Sequence, residues 1–190
     1  GLPDSEAPCA PIAVTPSGIV WVAIDNVGVS RYDGETWTTF TKDDGLGSDW
    51  VRSIAVLSDD IVLFATSTNG ISIYNGDSWS YFNADNGLIT KSASSIAIAK
   101  DGVIWVGAGG GVSKYDYDGE TWISYSNKLG LLGPSAGSIA TGSDGLVWAG
   151  TDEGLYCYNG ETWTTFNTDD GLANNRIYSL AVSPDNTVWI

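Results

Sequence analysis

Residues 95–125 read Ser95-Ile96-Ala97-Ile98-Ala99, Lys100-Asp101-Gly102, Val103-Ile104-Trp105-Val106-Gly107, then Val112-Ser113-Lys114-Tyr115 and Asp118-Gly119-Glu120-Thr121-Trp122-Ile123-Ser124-Tyr125. Four short runs rich in β-branched and aromatic residues alternate with glycine-containing turns, a pattern that predicts four antiparallel strands. The second run is apolar at consecutive positions, as expected of a strand buried on both faces. A solvated sheet would alternate instead. No amphipathic helix of useful length interrupts the run.

The same unit recurs on both sides of this stretch. Asp33-Gly34-Glu35-Thr36-Trp37, Asn75-Gly76-Asp77-Ser78-Trp79, Asp118-Gly119-Glu120-Thr121-Trp122 and Asn159-Gly160-Glu161-Thr162-Trp163 place Trp at steps of 42, 43 and 41 residues. Trp21, Phe64, Trp105, Trp148 and Trp189 keep the same beat, with Phe64 taken as the replacement for Trp in the second unit. A Gly-Leu step follows it at Gly45, Gly87, Gly130 and Gly171. A period of about 42 residues with four strands per unit is the signature of a β-propeller. A β-solenoid has shorter coils, and a sandwich has no reason to repeat its sequence. The expected fold is therefore all-β: four complete blades at 11–53, 54–95, 96–138 and 139–179, the first two strands of a fifth at 180–190, and an extended leader at 1–10. Both ends read as cut from a longer array. The chain is expected to be part of a larger ring, or to have its open edge completed by another chain, because unpaired edges are an aggregation liability that closure removes.

The units Val-Trp-Val-Gly, Gly-Val-Ser-Lys-Tyr-Asp, Asp-Gly-Glu-Thr-Trp and Asp-Gly-Leu resemble the two-component-regulator propeller repeats. The resemblance covers residues 11–190. It implies the propeller fold and an extracytoplasmic setting, such as the sensor regions of bacterial hybrid histidine kinases and related secreted propellers. It implies no catalytic residue, since the repeated positions are scaffold.

Composition removes several functions. Eight Lys and Arg against 23 Asp and Glu give a net charge of −15, and no basic face exists for a nucleic acid. With no histidine there is no Ser-His or Cys-His pair and no His metal ligand. The longest apolar runs are about five or six residues, far short of the roughly 20 that span a bilayer, so no membrane insertion is expected. Richness in Ser, Thr, Asn, Gly and aromatics with little Lys suits an extracellular or periplasmic protein.

Side chains that the repeat does not demand are the candidates for function. The periodic tryptophans read as packing between blades. Trp50 does not: its equivalents are Ser92, Ser135 and Arg176. A lone loop Trp either stacks on a sugar, anchors a protein partner or packs locally. Trp50, Asp49, Asp25, Asp152 and Arg176 form the candidate ligand-binding set, because the connectors after the fourth strand and the turns after the second emerge on one face of an up-and-down blade. Asp43, Asp44, Asp169 and Asp170 in the Asp-Asp-Gly loops offer oxygens to calcium, although turn chemistry accounts for Asp there equally well and no EF-hand spacing occurs. Cys9 and Cys157 are either a bridge or two free thiols. The function expected is a non-enzymatic extracytoplasmic propeller that senses or recognises a small molecule, glycan or protein. The alternatives are a structural or adhesive bacterial surface protein self-associating through open blade edges, and a glycan-processing enzyme whose carboxylate pair lies among the 23 acids.

Overall fold

The computed structural model describes residues 11–116, 120–126 and 135–190. The chain forms two compact units, residues 1–86 with 91–93 and residues 87–90 with 94–190. Four of the five sheets are four-stranded antiparallel meanders in sequence order. The first unit holds β1 (Ile12–Val14), β2 (Val20–Ile24), β3 (Gly28–Tyr32) and β4 (Trp37–Phe40), followed by β5 (Val51–Val56), β6 (Val62–Thr66), β7 (Ile71–Tyr74) and β8 (Trp79–Phe82). The second holds β9 (Ala93–Ile98, from its second residue), β10 (Ile104–Ala108), β11 (Gly111–Asp116) and β12 (Thr121–Tyr125). It continues with β13 (Ala136–Thr141), β14 (Val147–Thr151), β15 (Leu155–Tyr158), β16 (Trp163–Phe166) and the pair β17 (Ala181–Val182) and β18 (Val188–Trp189). Four complete four-stranded sheets and one of two strands make this a β-propeller chain.

Every residue of β6 and of β10 is buried, as their unbroken apolar runs require. In the first unit Trp21, Val29, Leu46, Val62 and Phe64 form one core between the two sheets. In the second, Trp105, Ile139, Val147, Ala149, Tyr156 and Tyr158 form another.

Strand register corrects one equivalence. Val20 pairs with Tyr32 and Trp21 with Arg31, whereas Val62 pairs with Tyr74 and Leu63 with Ile73. Leu63, not Phe64, therefore holds the position of Trp21, and the steps from Trp21 to Leu63 to Trp105 become even. Phe64 opposes Ser72 as Val22 opposes Ser30. Successive residues of a strand point to opposite faces, so Phe64 meets Trp21 across the seam, edge to face with ring centroids 5.2 Å apart.

Two local devices recur. At the hairpin between third and fourth strands, Asp33 Oδ1 accepts the N–H groups of Glu35 at 3.0 Å and Thr36 at 2.8 Å. Asn75 and Asn159 do the same in their sheets. The tyrosine before each, Tyr32, Tyr74 or Tyr158, donates its hydroxyl to the carbonyl of the following Gly at 2.7 Å. These Asx turns explain why Asp and Asn interchange there. The third copy of this turn includes residues 117–119, outside the described residues.

The Gly-Leu step is the second device. It closes a single 3-10 turn, Lys42–Asp44 or Thr168–Asp170, whose glycine takes φ of 110° at Gly45 and 104° at Gly171. A Cβ on Gly45 would also lie 2.9 Å from the Trp79 ring. Only glycine meets both demands. The following leucine is the anchor: Leu46 is buried in the core of the first unit. The step at Gly130 lies outside the described residues.

Candidate functional site

Each connector leaving a fourth strand is folded by its own side chains. In the first, Thr41 caps the 3-10 turn by accepting the Asp43 N–H at 3.2 Å. Asp44 Oδ2 returns by accepting the Thr41 N–H at 2.9 Å and its hydroxyl at 3.0 Å. These bonds hold the Asp44 carboxyl below its usual range, with the Thr41 amide the largest cause. In the fourth connector Asn167 and Asp170 repeat the capping box, the Asp170 carboxylate accepting the Asn167 N–H at 3.0 Å. Asp43 is exposed and its carboxylate lies 3.3 Å from Lys42 Nζ. Asp169 donates its N–H to Asn167 Oδ1 at 2.7 Å. Of the four acids offered to calcium, Asp44 and Asp170 thus tie down their own backbone. Among the described residues no three His, Cys, Asp or Glu side chains come together as a metal-holding group.

Asp49 is also structural. Its Oδ1 accepts the Lys42 N–H at 2.7 Å and its Oδ2 lies 3.6 Å from Lys42 Nζ. Asn175 takes the equivalent place on Thr168 N–H at 2.8 Å. Neighbouring Trp50 is different. Its N–H donates to Ser48 Oγ at 3.2 Å and its carbonyl accepts from Ser67 N–H at 3.1 Å, but the residue is 49% exposed. The Ser67 bond joins the connector to the loop after β6, so these two loop sets do share an edge within the first unit. Asp25 is exposed in the tight turn after β2, where its Oδ2 accepts from Asn26 Nδ2 at 3.3 Å.

In the second unit two members of the candidate set meet. Asp152 and Arg176 line one cavity of about 200 Å³ together with Ser135, Thr151 and Tyr178. Ile177 donates its N–H to the Thr151 carbonyl at 2.7 Å, which fixes the connector against the end of β14. The Arg176 guanidinium sits 4.9 Å from the Tyr178 ring centroid, a cation–π distance. Asp152 supplies the opposite charge at the rim. The arrangement offers a carboxylate, a guanidinium and an aromatic face to a polar ligand.

Tyr178, 78% exposed, was not a candidate from sequence. The signal was present: its counterparts are Arg52, Ser94 and Gly137, so it departs from the repeat as Trp50 does. Arg52 and Gly137 fall where a β-bulge interrupts the register between Val51 and Ser53 and between Ala136 and Ser138. A bulge residue is released from the alternation and its side chain is free to leave the sheet.

Cys157 is buried in β15, and burial raises its thiol above the ordinary range, with the Asp144 charge adding to the effect. Among the described residues it has no disulfide partner, and Cys9 lies outside them.

Solved structures place the fold among β-propellers. The extracellular domain of a candidate hybrid two component system from B. thetaiotaomicron superposes with a TM-score of 0.79 at 18% identity, covering 95% of this chain and 27% of that one. PorZ, an essential surface component of the type-IX secretion system of Porphyromonas gingivalis, gives 0.71 at 18% identity over 91% of this chain and 29% of its own. A GH74 xyloglucanase from Xanthomonas campestris gives 0.70 at 16% identity, covering 92% of this chain and 33% of that one. The chain thus spans about a third or less of these proteins' lengths. No family model matches the sequence, and no curated protein does. No helix among the described residues is long and apolar enough to cross a membrane.

Proposed function

We propose that the chain is a non-enzymatic, extracytoplasmic recognition propeller of the two-component-regulator repeat type, sensing a small molecule, glycan or protein through its connector loops. One observation carries the reading. The recurrent connector acids Asp44 and Asp170 are occupied by backbone hydrogen bonds, whereas Trp50, Arg176 and Tyr178, which the repeat does not demand, are exposed on those same connectors. Exposed aromatic and Arg side chains on rigidly capped loops suit recognition, since little ordering entropy is lost on binding. The extracellular domain of a hybrid two component system among the structural neighbours supports both the setting and the role.

The test is a glycan array and a small-molecule panel on the whole chain, with hits titrated by calorimetry against Trp50→Ala and Arg176→Ala. Loss of affinity in either variant at unchanged melting temperature supports recognition through the connectors. The likeness to PorZ favours a second reading, a bacterial surface component. An absence of hits, together with concentration-dependent filaments in light scattering and microscopy, would replace the first reading with the second.

A further inference from the structure

The second unit contains a larger cleft on a different set of loops. It lies between the sheet of β9–β12 and that of β13–β16, encloses about 380 Å³ and is lined by Ala99, Lys100, Trp105, Lys114, Ser143 and Tyr158, among others. This volume lies within the range of roughly 300–1,000 Å³ usual for small-molecule sites. Its origin is visible in the turns. Thr15, Leu57, Ala99 and Gly142 each donate an N–H to the residue four further on, at 2.8–2.9 Å, and so occupy one position in four sheets. Across this seam that position is held by Ala99 and Gly142, where the seam of the first unit has Thr15 and Leu57. Ala99 puts only a methyl group beside Val103, Trp105 and Tyr158 in the lining, whereas a Cβ on Gly142 would point away from them, at Asp144 and Asn186.

Two cations border the opening. Lys114 Nζ lies 5.8 Å from the Trp105 ring centroid, and its cross-strand neighbour is Trp105 itself. Lys100 is exposed at the rim. Neither has a carboxylate partner among the described residues. Lys100 and Lys114 are the two cations of this chain that line the cleft. The one acid in the lining, Asp101, has Oδ1 turned to the Val103 N–H of its own turn at 3.1 Å. The Tyr158 hydroxyl donates to Gly160 O, which leaves its ring rather than its oxygen as the wall.

We propose that this cleft is a binding site for a small carboxylate with a flat apolar body. The apolar wall takes the body and the two ammonium groups take the charge, in a partly desolvated setting where a charge-assisted hydrogen bond is stronger than in bulk water. The site is separate in residues and loops from the connector site and does not rest on that reading.

The test uses benzoate, with benzyl alcohol as its uncharged counterpart, on the whole chain. Titration by calorimetry and by two-dimensional NMR is expected to move the Trp105 indole and Ser143 amide signals with benzoate and to leave them in place with benzyl alcohol. Each of Lys100→Gln and Lys114→Gln weakens benzoate binding by roughly tenfold, and added salt weakens it further. Trp50→Ala and Arg176→Ala leave it unchanged. Absence of benzoate binding, equal affinity in the double lysine variant at an unchanged melting temperature, or equally tight benzyl alcohol binding would each overturn the proposal.

Discussion

Asp33 and Thr36 are bound to each other three ways over: the carboxylate of Asp33 accepts the Thr36 amide at 2.8 Å and its hydroxyl at 3.0 Å, while Thr36 O accepts the Asp33 N–H at 3.3 Å. With the Glu35 amide added, these bonds pull the Asp33 carboxyl down to about 2, the Thr36 amide contributing most. A carboxyl lowered on folding stabilises the native state above its unfolded value, and that contribution is lost as pH falls through the folded value. The stability due to Asp33 should therefore be complete above about pH 4 and disappear towards about pH 2. Asp33→Asn should leave the melting temperature near neutrality almost unchanged, because Asn75 and Asn159 already do this work in other sheets. It should also flatten the acid limb of the melting curve. A variant whose acid limb matches the parent's would show that other carboxylates set it.

Phe64 is wholly buried against Trp21 and Trp79. Phe64→Ala leaves a cavity in the seam of the first unit and should cost about 3–5 kcal/mol in urea unfolding. Phe64→Leu fills most of the space and should recover most of the loss.

Trp50 should behave oppositely. With half of its surface in water, Trp50→Ala should change stability by no more than about 0.5 kcal/mol. Any ligand found for the connector face should bind more weakly to it. A large drop in melting temperature would instead identify the ring as a packing residue.

Calcium removal gives a further check. With Asp44 and Asp170 engaged by the backbone, thermal melts in EDTA and in millimolar calcium should superimpose. A calcium-dependent rise that Asp43→Asn and Asp169→Asn abolish would make these loops metal sites.

The Cys157 thiol, raised by burial, carries little of the thiolate that reacts. In the native protein at pH 8, iodoacetamide should leave the Cys157 peptide unmodified, and denaturation should make it react fully. Rapid native labelling would mean that β15 opens easily.

The blade pattern was legible because it rests on repetition. Strand periodicity, Asp-Gly turns and the Gly-Leu step are local, and four copies of each reinforce one another. The candidate site was legible only in part. Trp50 and Arg176 stand out as breaks in the repeat, but Asp49 and Asp44 look equally available in sequence. Whether a carboxylate is free depends on which amide it meets, and for Asp49 that is Lys42, seven residues earlier. Spacing puts Phe64 at the place of Trp21 for a related reason: a one-residue change of register moves a side chain to the other face, and spacing alone does not resolve one residue.

The amino-acid sequence by itself determined the all-β meander, its period and the residues at each turn, since these follow from backbone propensities and side-chain chemistry within a few residues. Tertiary structure decided which face Phe64 takes and that Gly142, Ala99 and the two lysines border one cleft. Those facts depend on contacts between sheets whose residues are some 40 positions apart. Packing, rather than local preference, sets such contacts.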